Sequence, residues 1–296
     1  MNIEKQTPIY LVPFDEKYFL FGLTLLTNLK QYVHNFKNVI VLDFGLAKKE
    51  LDFLEDFGVS VIPMPSELSG AHPYKLKSNL VTYLRNRKLL DRWIILLDAD
   101  MLLLKSPVDE IDTLILQMKA NKNTLALCQD MGPAESISAF LDNYKHLTSR
   151  FKEFTSALNI SMPYCNIGFI IFSPQFDFYK FKYLADRMEG DVSWEQNAIN
   201  LMCLEGLSYL LLDVKKWNLH GGRLLDEYSE KDDPYFIHLT SSTGNLVSGP
   251  FDLMVDGIAL TFFYRYIKNI KIVQLQRNYL EKLVAENGAL LLRYFK

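Results

Sequence analysis

The 296-residue sequence has only three cysteines, 14 glycines, 11 prolines and no long apolar run. Each scarcity removes a class of protein. Cys128, Cys165 and Cys203 are odd in number, widely spaced and set in largely apolar surroundings. That argues against a disulfide scaffold, and without a Cys-x-x-Cys pair against a zinc site, so they read as reduced core residues. The longest run of purely apolar residues is Trp93–Leu97, far short of the ~20 a membrane-spanning helix needs. The first eight residues carry no apolar stretch of the signal-peptide kind, so the expectation is a chain that begins in the cytoplasm. Charge of one sign is also lacking: 32 Lys/Arg against 35 Asp/Glu give a net charge of −3. Such a balance offers no broad field for a nucleic acid, and no nucleic-acid partner is expected. No segment rich in proline, glycine or serine divides the chain, and there is no internal repeat.

What is present is alternation. Ile9–Val12, ended by Pro13, reads as a buried strand; a helix follows over about 18–33, then a strand at Val39–Leu42. A helix stopped by Gly58, a strand at Val59–Ile62, a helix over about 77–87 and the strand Trp93–Leu97 complete the first hundred residues. Four strands joined by three helices predict a doubly wound α/β sheet. Farther on, 124–128 and 168–172 read as strands, separated by about forty residues with a helix expected over 139–158. A connection of that size usually carries function, and residues 129–163 are expected to shape a lid or a binding surface, with Asp130 a candidate contact. One domain over 1–255 with a C-terminal helical appendage over 256–296 is the expected organisation. From Arg265 onward seven Lys/Arg stand against two Glu, so −3 overall is −8 before that point and +5 after it. The tail reads as a helix docked on the core with a solvated basic side, or as a surface for an anionic membrane or a partner.

The chemistry concentrates at Asp98-Ala99-Asp100. Asp-x-Asp spacing is common by chance, but here both carboxylates directly follow a buried strand and precede a second apolar run, Met101–Leu104. Ligands of open α/β sheets bind beyond the carboxyl ends of strands. Two carboxylates so close between apolar runs need a cation or strong donors, and a divalent cation carrying a diphosphate meets that need.

With its neighbours, the segment Trp93–Leu104 resembles the metal-binding Asp-x-Asp segment of GT-A-fold glycosyltransferases, and several stretches agree in the order of glycosyltransferase family 8 and its relatives. Asp15–Tyr18 after strand one resembles the first nucleotide-binding loop, and Asp43–Leu46 the Asp-x-Gly-Leu turn. Tyr74–Lys77 sits where these enzymes carry a basic residue near the donor. Tyr164–Phe169 resembles their Asn-x-Gly strand start, Trp194–Asn200 their Asp-Gln-Asp-x-x-Asn helix start, and His238 their late metal-binding histidine. The likeness covers about residues 8–240. It implies a GT-A-like, Rossmann-like α/β fold with a mixed, mostly parallel sheet flanked by helices, and a metal site of Asp98, Asp100 and His238. It further implies Mn²⁺ or Mg²⁺ and a nucleotide-sugar donor, of the UDP class, held by Phe14, Asp15, Tyr18, Asp43, Lys75, Lys77, Asp98, Ala99, Asp100, Asn166 and Gly168.

Bland roles compete at each position. Asp15 would serve equally as a helix N-cap, Asp43 as a turn former and Asn166 as a turn cap. Either Lys75 or Lys77 would supply charge near the diphosphate, or neither would. Glu195 and Gln196 are the catalytic candidates: the Glu-Gln pair matches the retaining pattern, while Glu195 as a base would make the enzyme inverting. Where the family's His-x-x-Gly-x-x-Lys segment carries a lysine, this chain reads His238-Leu239-Thr240-Ser241-Ser242-Thr243-Gly244. Ser241–Thr243 or Arg223 would then stand in. A nucleotidyltransferase would need a glycine-rich loop after strand one, where Pro13–Lys17 stands instead; a non-catalytic sugar-nucleotide-binding module would be expected to lose the metal site. The acceptor, whether a glycan, a lipid-linked sugar or a protein, has no readable code. A cytoplasmic enzyme is the expected setting, with the inner face of a membrane as the alternative if the tail binds there.

Overall fold

The computed structural model describes residues 7–85, 87–240, 248–255, 257–264 and 269–295. Strand β1 (Ile9–Phe14) is buried at all six positions, as a strand covered on both faces must be. It continues through Pro13, where the sequence predicted an end. The register with its neighbour β4 (Ile94–Leu97) stops at Leu11↔Leu96, so the missing proline N–H costs no ladder bond on that side. Helix α1 (Phe19–Tyr32), strand β2 (Val39–Asp43), helix α2 (Lys48–Phe57) and strand β3 (Ser60–Ile62) follow the predicted alternation. Gly58 ends α2 in the left-handed region (φ 84°), its N–H closing on Leu54 and Glu55 carbonyls.

The helix expected over 77–87 is instead two short ones, α3 (Pro73–Ser78) and α4 (Leu80–Arg85). Between them the Asn79 side chain takes the Lys75 carbonyl at 2.8 Å. Such local competition breaks helices. After β4 come β5 (Met101–Leu103), α5 (Val108–Asn121) and β6 (Leu125–Gln129). The helix expected over 139–158 is also two, α6 (Ile137–Asn143) and α7 (Ser149–Thr155). Strand β7 (Cys165–Phe172), helices α8 (Phe178–Met188) and α9 (Trp194–Leu204) and strand β8 (Tyr209–Leu212) lead to the short helices α10 (Val214–Trp217) and α11 (Gly222–Glu227). Strand β9 (Phe236–His238) precedes a hairpin, β10 (Ser248–Val255) with β11 (Ile258–Tyr264), and the long helix α12 (Ile270–Phe295). The strand β11 lies where helix alone was expected.

The main sheet runs β3-β2-β1-β4-β7-β6-β8. Strands β1 and β4 are parallel, as are β6 and β8, while β7 is antiparallel to both neighbours. The expected mixed, mostly parallel sheet flanked by helices is therefore the observed one. Two further pairs stand apart, β5 with β9 and β10 with β11. Among the described residues no helix is long and apolar enough to cross a membrane.

The chain forms two compact units that interleave along the sequence. In the first, which holds 62–97 and 109–213, α8 and α9 pack on each other and α9 on β7. All three cysteines lie here, free and buried as predicted. The second holds 12–61, 98–108 and the chain from 214 onward. There α12 packs on α1 and α2, and its Ile272 joins a core with Leu102, Ile237 and Leu239.

Candidate metal centre and amide cluster

The second unit builds a three-ligand cluster from a register. Strand β5 pairs antiparallel with β9 so that Met101 faces His238, which sets Asp100 beside the imidazole. The Leu239 N–H donates to the Asp100 carbonyl at 2.9 Å and fixes that alignment. His238 Nε2 lies 3.2 Å from Asp100 Oδ1 and 3.8 Å from Asp98 Oδ2. Ligand atoms of all three residues fall within 4.8 Å of one another. Asp100 and His238 are buried, Asp98 partly so.

The other imidazole nitrogen explains the aim. Nδ1 is 3.0 Å from Oδ1 of the fully buried Asn218. An amide oxygen only accepts, so Nδ1 carries the proton and Nε2 faces the carboxylates. This is the outer partner that metal-binding histidines ordinarily have, and sequence reading passed over Asn218 because its role depends on a neighbour twenty residues away. Two carboxylates and an imidazole nitrogen converging in a largely buried place suit a divalent cation. The residues present therefore fit the metal site that the resemblance implied.

The remaining second-unit candidates have settled local roles. Asp15 caps the turn before α1, accepting from Tyr18 N at 3.1 Å. Tyr18 is half-buried, with its ring 6.1 Å from Phe21. Asp43 Oδ1 accepts from both Gly45 N and Leu46 N at 2.8 Å, closing the predicted turn. Phe14 is buried against Phe19, and a Cβ on Gly22 would meet its ring at 2.6 Å, so α1 approaches β1 only because position 22 is glycine. Ala99 is buried between the two aspartates. Arg223 is exposed and pairs with Glu227 at 3.0 Å, while Ser241–Thr243 lie outside the described residues.

The first unit gathers a second cluster. On β7 the pairing with β6 jumps from Leu127↔Ile170 to Cys128↔Asn166, leaving a bulge at Ile167–Phe169 on that side. Bulges re-aim side chains beside functional sites. Here Asn166 Oδ1 accepts from Gly168 N at 2.8 Å, and its Nδ2 reaches Asp130 Oδ2 at 3.5 Å. Gln196 Nε2 donates to the same Asp130 oxygen at 2.9 Å. Asn200 ties α9 to β7: its Oδ1 accepts from Cys165 N at 2.7 Å, and its Nδ2 donates to the Cys165 carbonyl at 2.9 Å. The Tyr164 hydroxyl donates to Asn197 Oδ1 at 2.7 Å, and burial holds that phenol well above its usual pKa. Glu195 is buried beside them in the first turn of α9.

Both candidate lysines also lie in the first unit. Lys75 Nζ bridges Asp186 at 2.8 Å and Glu189 at 2.7 Å. Desolvation pulls its pKa down, but these hydrogen bonds outweigh it and the net shift is upward. Lys77 is buried in the last turn of α3.

No protein-family model matches the sequence, and no curated protein matches it. Solved structures do. The WbbM bifunctional glycosyltransferase superposes over 80% of this chain with a TM-score of 0.55 at 13% identity. This chain spans 46% of its length, about half. LgtC, a galactosyltransferase solved with donor and acceptor sugar analogues, matches over 77% of this chain and 86% of its own (TM-score 0.50, 13% identity). GlyE of Streptococcus pneumoniae, another glycosyltransferase, matches over 95% of this chain and 64% of its own, with a TM-score of 0.51 and 13% identity. At such identities the likeness speaks to architecture, and the chain is built on the GT-A-like fold shared by these glycosyltransferases.

Proposed function

We propose that this protein is a divalent-metal-dependent glycosyltransferase that moves a sugar from a nucleotide-sugar, of the UDP class, to an acceptor hydroxyl with retention of anomeric configuration. In that reaction the bond from the anomeric carbon to the diphosphate oxygen breaks, a bond to the acceptor oxygen forms, and the acceptor proton leaves with the departing nucleotide. The observation that carries the reading is the convergence of Asp98, Asp100 and His238, with Asn218 turning the imidazole toward the carboxylates.

Asp98, Asp100 and His238 would hold the ion. A bound divalent cation supplies Lewis-acid stabilisation of the diphosphate leaving group. The imidazole among the ligands favours Mn²⁺ over the harder Mg²⁺. Asp15 and Asp43 are proposed to touch the nucleoside, Asp15 from the turn after β1 and Asp43 from the end of β2. In the first unit, Asn166 and Gln196 are proposed to bind sugar hydroxyls and face the reacting centre, respectively. One LgtC structure is of an active-site mutant that replaces a glutamine by glutamate, so a glutamine in the active site has a precedent among the structures similar to this chain.

Thermal melts with UDP, GDP and CDP, each with and without Mn²⁺, test the reading. Stabilisation by UDP that requires Mn²⁺ is expected, and no metal-dependent stabilisation by any nucleotide overturns it. Asp100→Ala should reduce transfer at least a thousandfold while the far-ultraviolet circular dichroism stays unchanged; retained transfer would remove the metal assignment. Proton NMR of the product's anomeric signal separates retention from inversion with Glu195 as base.

A further inference from the structure

Asp130 is held by hydrogen bonds from its own backbone and from two side-chain amides. Its backbone N–H donates to the Tyr164 carbonyl at 2.7 Å, and its Oδ1 accepts from Met131 N at 2.7 Å, so the carboxylate is anchored at the end of β6. Oδ2 then receives Gln196 Nε2 at 2.9 Å and, at a longer 3.5 Å, Asn166 Nδ2. An ionised carboxylate has no hydrogen to give. It accepts only the NH₂ end of an amide, and the planar amide of Gln196 must therefore point Oε1 the other way. The backbone at this position is fixed as well, since the Gln196 carbonyl accepts from Asn200 Nδ2 at 2.9 Å. Asn166 has no choice either, because its Oδ1 is held by Gly168 N.

We propose that Asp130 is a positioning residue that sets the amide orientation of Gln196, so that the carbonyl oxygen Oε1, and not the NH₂ group, is presented to the sugar donor. The inference rests on the glycosyl-transfer reading. Its chemical sense is electrostatic: the transition state of glycosyl transfer carries oxocarbenium-like positive charge, which a carbonyl oxygen stabilises and an NH₂ group opposes. The Asp130 charge, relayed through the amide, polarises Oε1 further. Asparagine in place of Asp130 can donate as well as accept, so it would permit both orientations.

The test exchanges the two groups. Gln196→Glu sets a second carboxylate against Asp130, with Glu195 on the same helix and the Tyr164 and Tyr74 phenols as the other titratable groups near it. The two carboxyls cannot both ionise without repulsion, so the folded state holds a proton that the unfolded chain releases. Stability of Gln196→Glu is expected near the wild-type value at about pH 4 and to fall below it as pH rises to 8. The double variant Asp130→Asn/Gln196→Glu restores one amide facing one carboxylate, and its melting profile should again run parallel to wild type. Asp130→Asn alone should lower kcat by about tenfold or more, with the donor KM within threefold and the melting temperature nearly unchanged. A Gln196→Glu profile parallel to wild type, or an Asp130→Asn enzyme with wild-type kcat, overturns the proposal. If the wild-type protein transfers no sugar, the glycosyl-transfer reading fails, and the melting profiles alone then decide whether Asp130 orients Gln196.

Discussion

Asn218 is one polar side chain whose removal should be felt by an ion it would not touch. Replacing it by leucine takes away the acceptor at His238 Nδ1 and frees the ring to rotate or change tautomer. Loss of such an outer partner typically costs ten- to a hundredfold in metal affinity. Calorimetric titration of Asn218→Leu with Mn²⁺ should show that loss, and an unchanged affinity would mean that the backbone alone sets the ring. The cysteines give a second residue-scale expectation. Burial pushes the Cys203 thiol up to about 12 and raises Cys128 and Cys165 as well. Native protein at pH 8 should thus leave its three thiols unreacted toward a disulfide reagent, whereas guanidinium exposes all of them. These thiols were legible from their apolar flanks, and the acids of the candidate metal centre from their place at a strand end. Asn218 was not, because a lone asparagine after a tryptophan acquires meaning only when β9 brings His238 to it.

Among the elements, α2 offers a pH test with a definite sign. Glu50 accepts from Ala47 N at 2.8 Å at the helix start while being buried, and burial raises its pKa. A carboxyl whose folded pKa exceeds the unfolded one contributes stability at low pH that is lost as pH rises through that window. Glu50→Gln keeps the accepting oxygen and removes the charge. Its melting temperature should equal wild type near pH 4 and exceed it at pH 7; equal values at both would show that the carboxylate is adequately solvated. Helix α12 gives another. The Tyr279 hydroxyl donates to the Leu103 carbonyl of β5 at 2.8 Å, and Tyr279→Phe should cost about 1 kcal/mol in denaturant unfolding.

The same scale shows where sequence reading fell short. Residues 139–158 carry continuous helical periodicity, yet the chain breaks, and α7 restarts because Asp191 accepts from Phe151 N at 2.8 Å. A cap supplied from forty residues away leaves no trace in the local pattern. The strand through Pro13 was missed for a related reason: whether a proline is tolerated depends on which neighbours need its N–H, which is a property of the sheet.

For the whole molecule, the alternation of the first hundred residues was enough to forecast the sheet, because each crossover helix declared its apolar face. A mixed sheet was expected from the resemblance, but periodicity did not say that β7 is its antiparallel member, nor that β5 and β9 form a separate ladder. Two of the tail's basic residues meet acids elsewhere in its own unit, Arg293 pairing with Asp56 at 2.7 Å and Lys271 with Glu230 at 3.9 Å, while Lys282 reaches the amides of Gln31 and Asn28. Residues 265–268, which include Arg265 and Lys268, lie outside the described part. Ile272, Leu280, Leu283 and Leu291 on α12 are buried. Truncation before residue 265 should therefore lower the melting temperature by ten degrees or more, and a truncated chain that melts like the intact one would show that α12 adds little to the core.

The pairing of Met101 with His238 also has a temporal side. Asp98 and Asp100 are synthesised long before the histidine that faces them, and the loop between them must close before three ligands exist. An ion that prefers all three would then bind only chains that have already threaded α10, α11 and β9 into place, and would slow their reopening. Metal would thus act as a late clasp on a long chain closure: its chelation should speed proteolysis of the second unit, while the first unit, which holds none of the three residues, keeps its resistance.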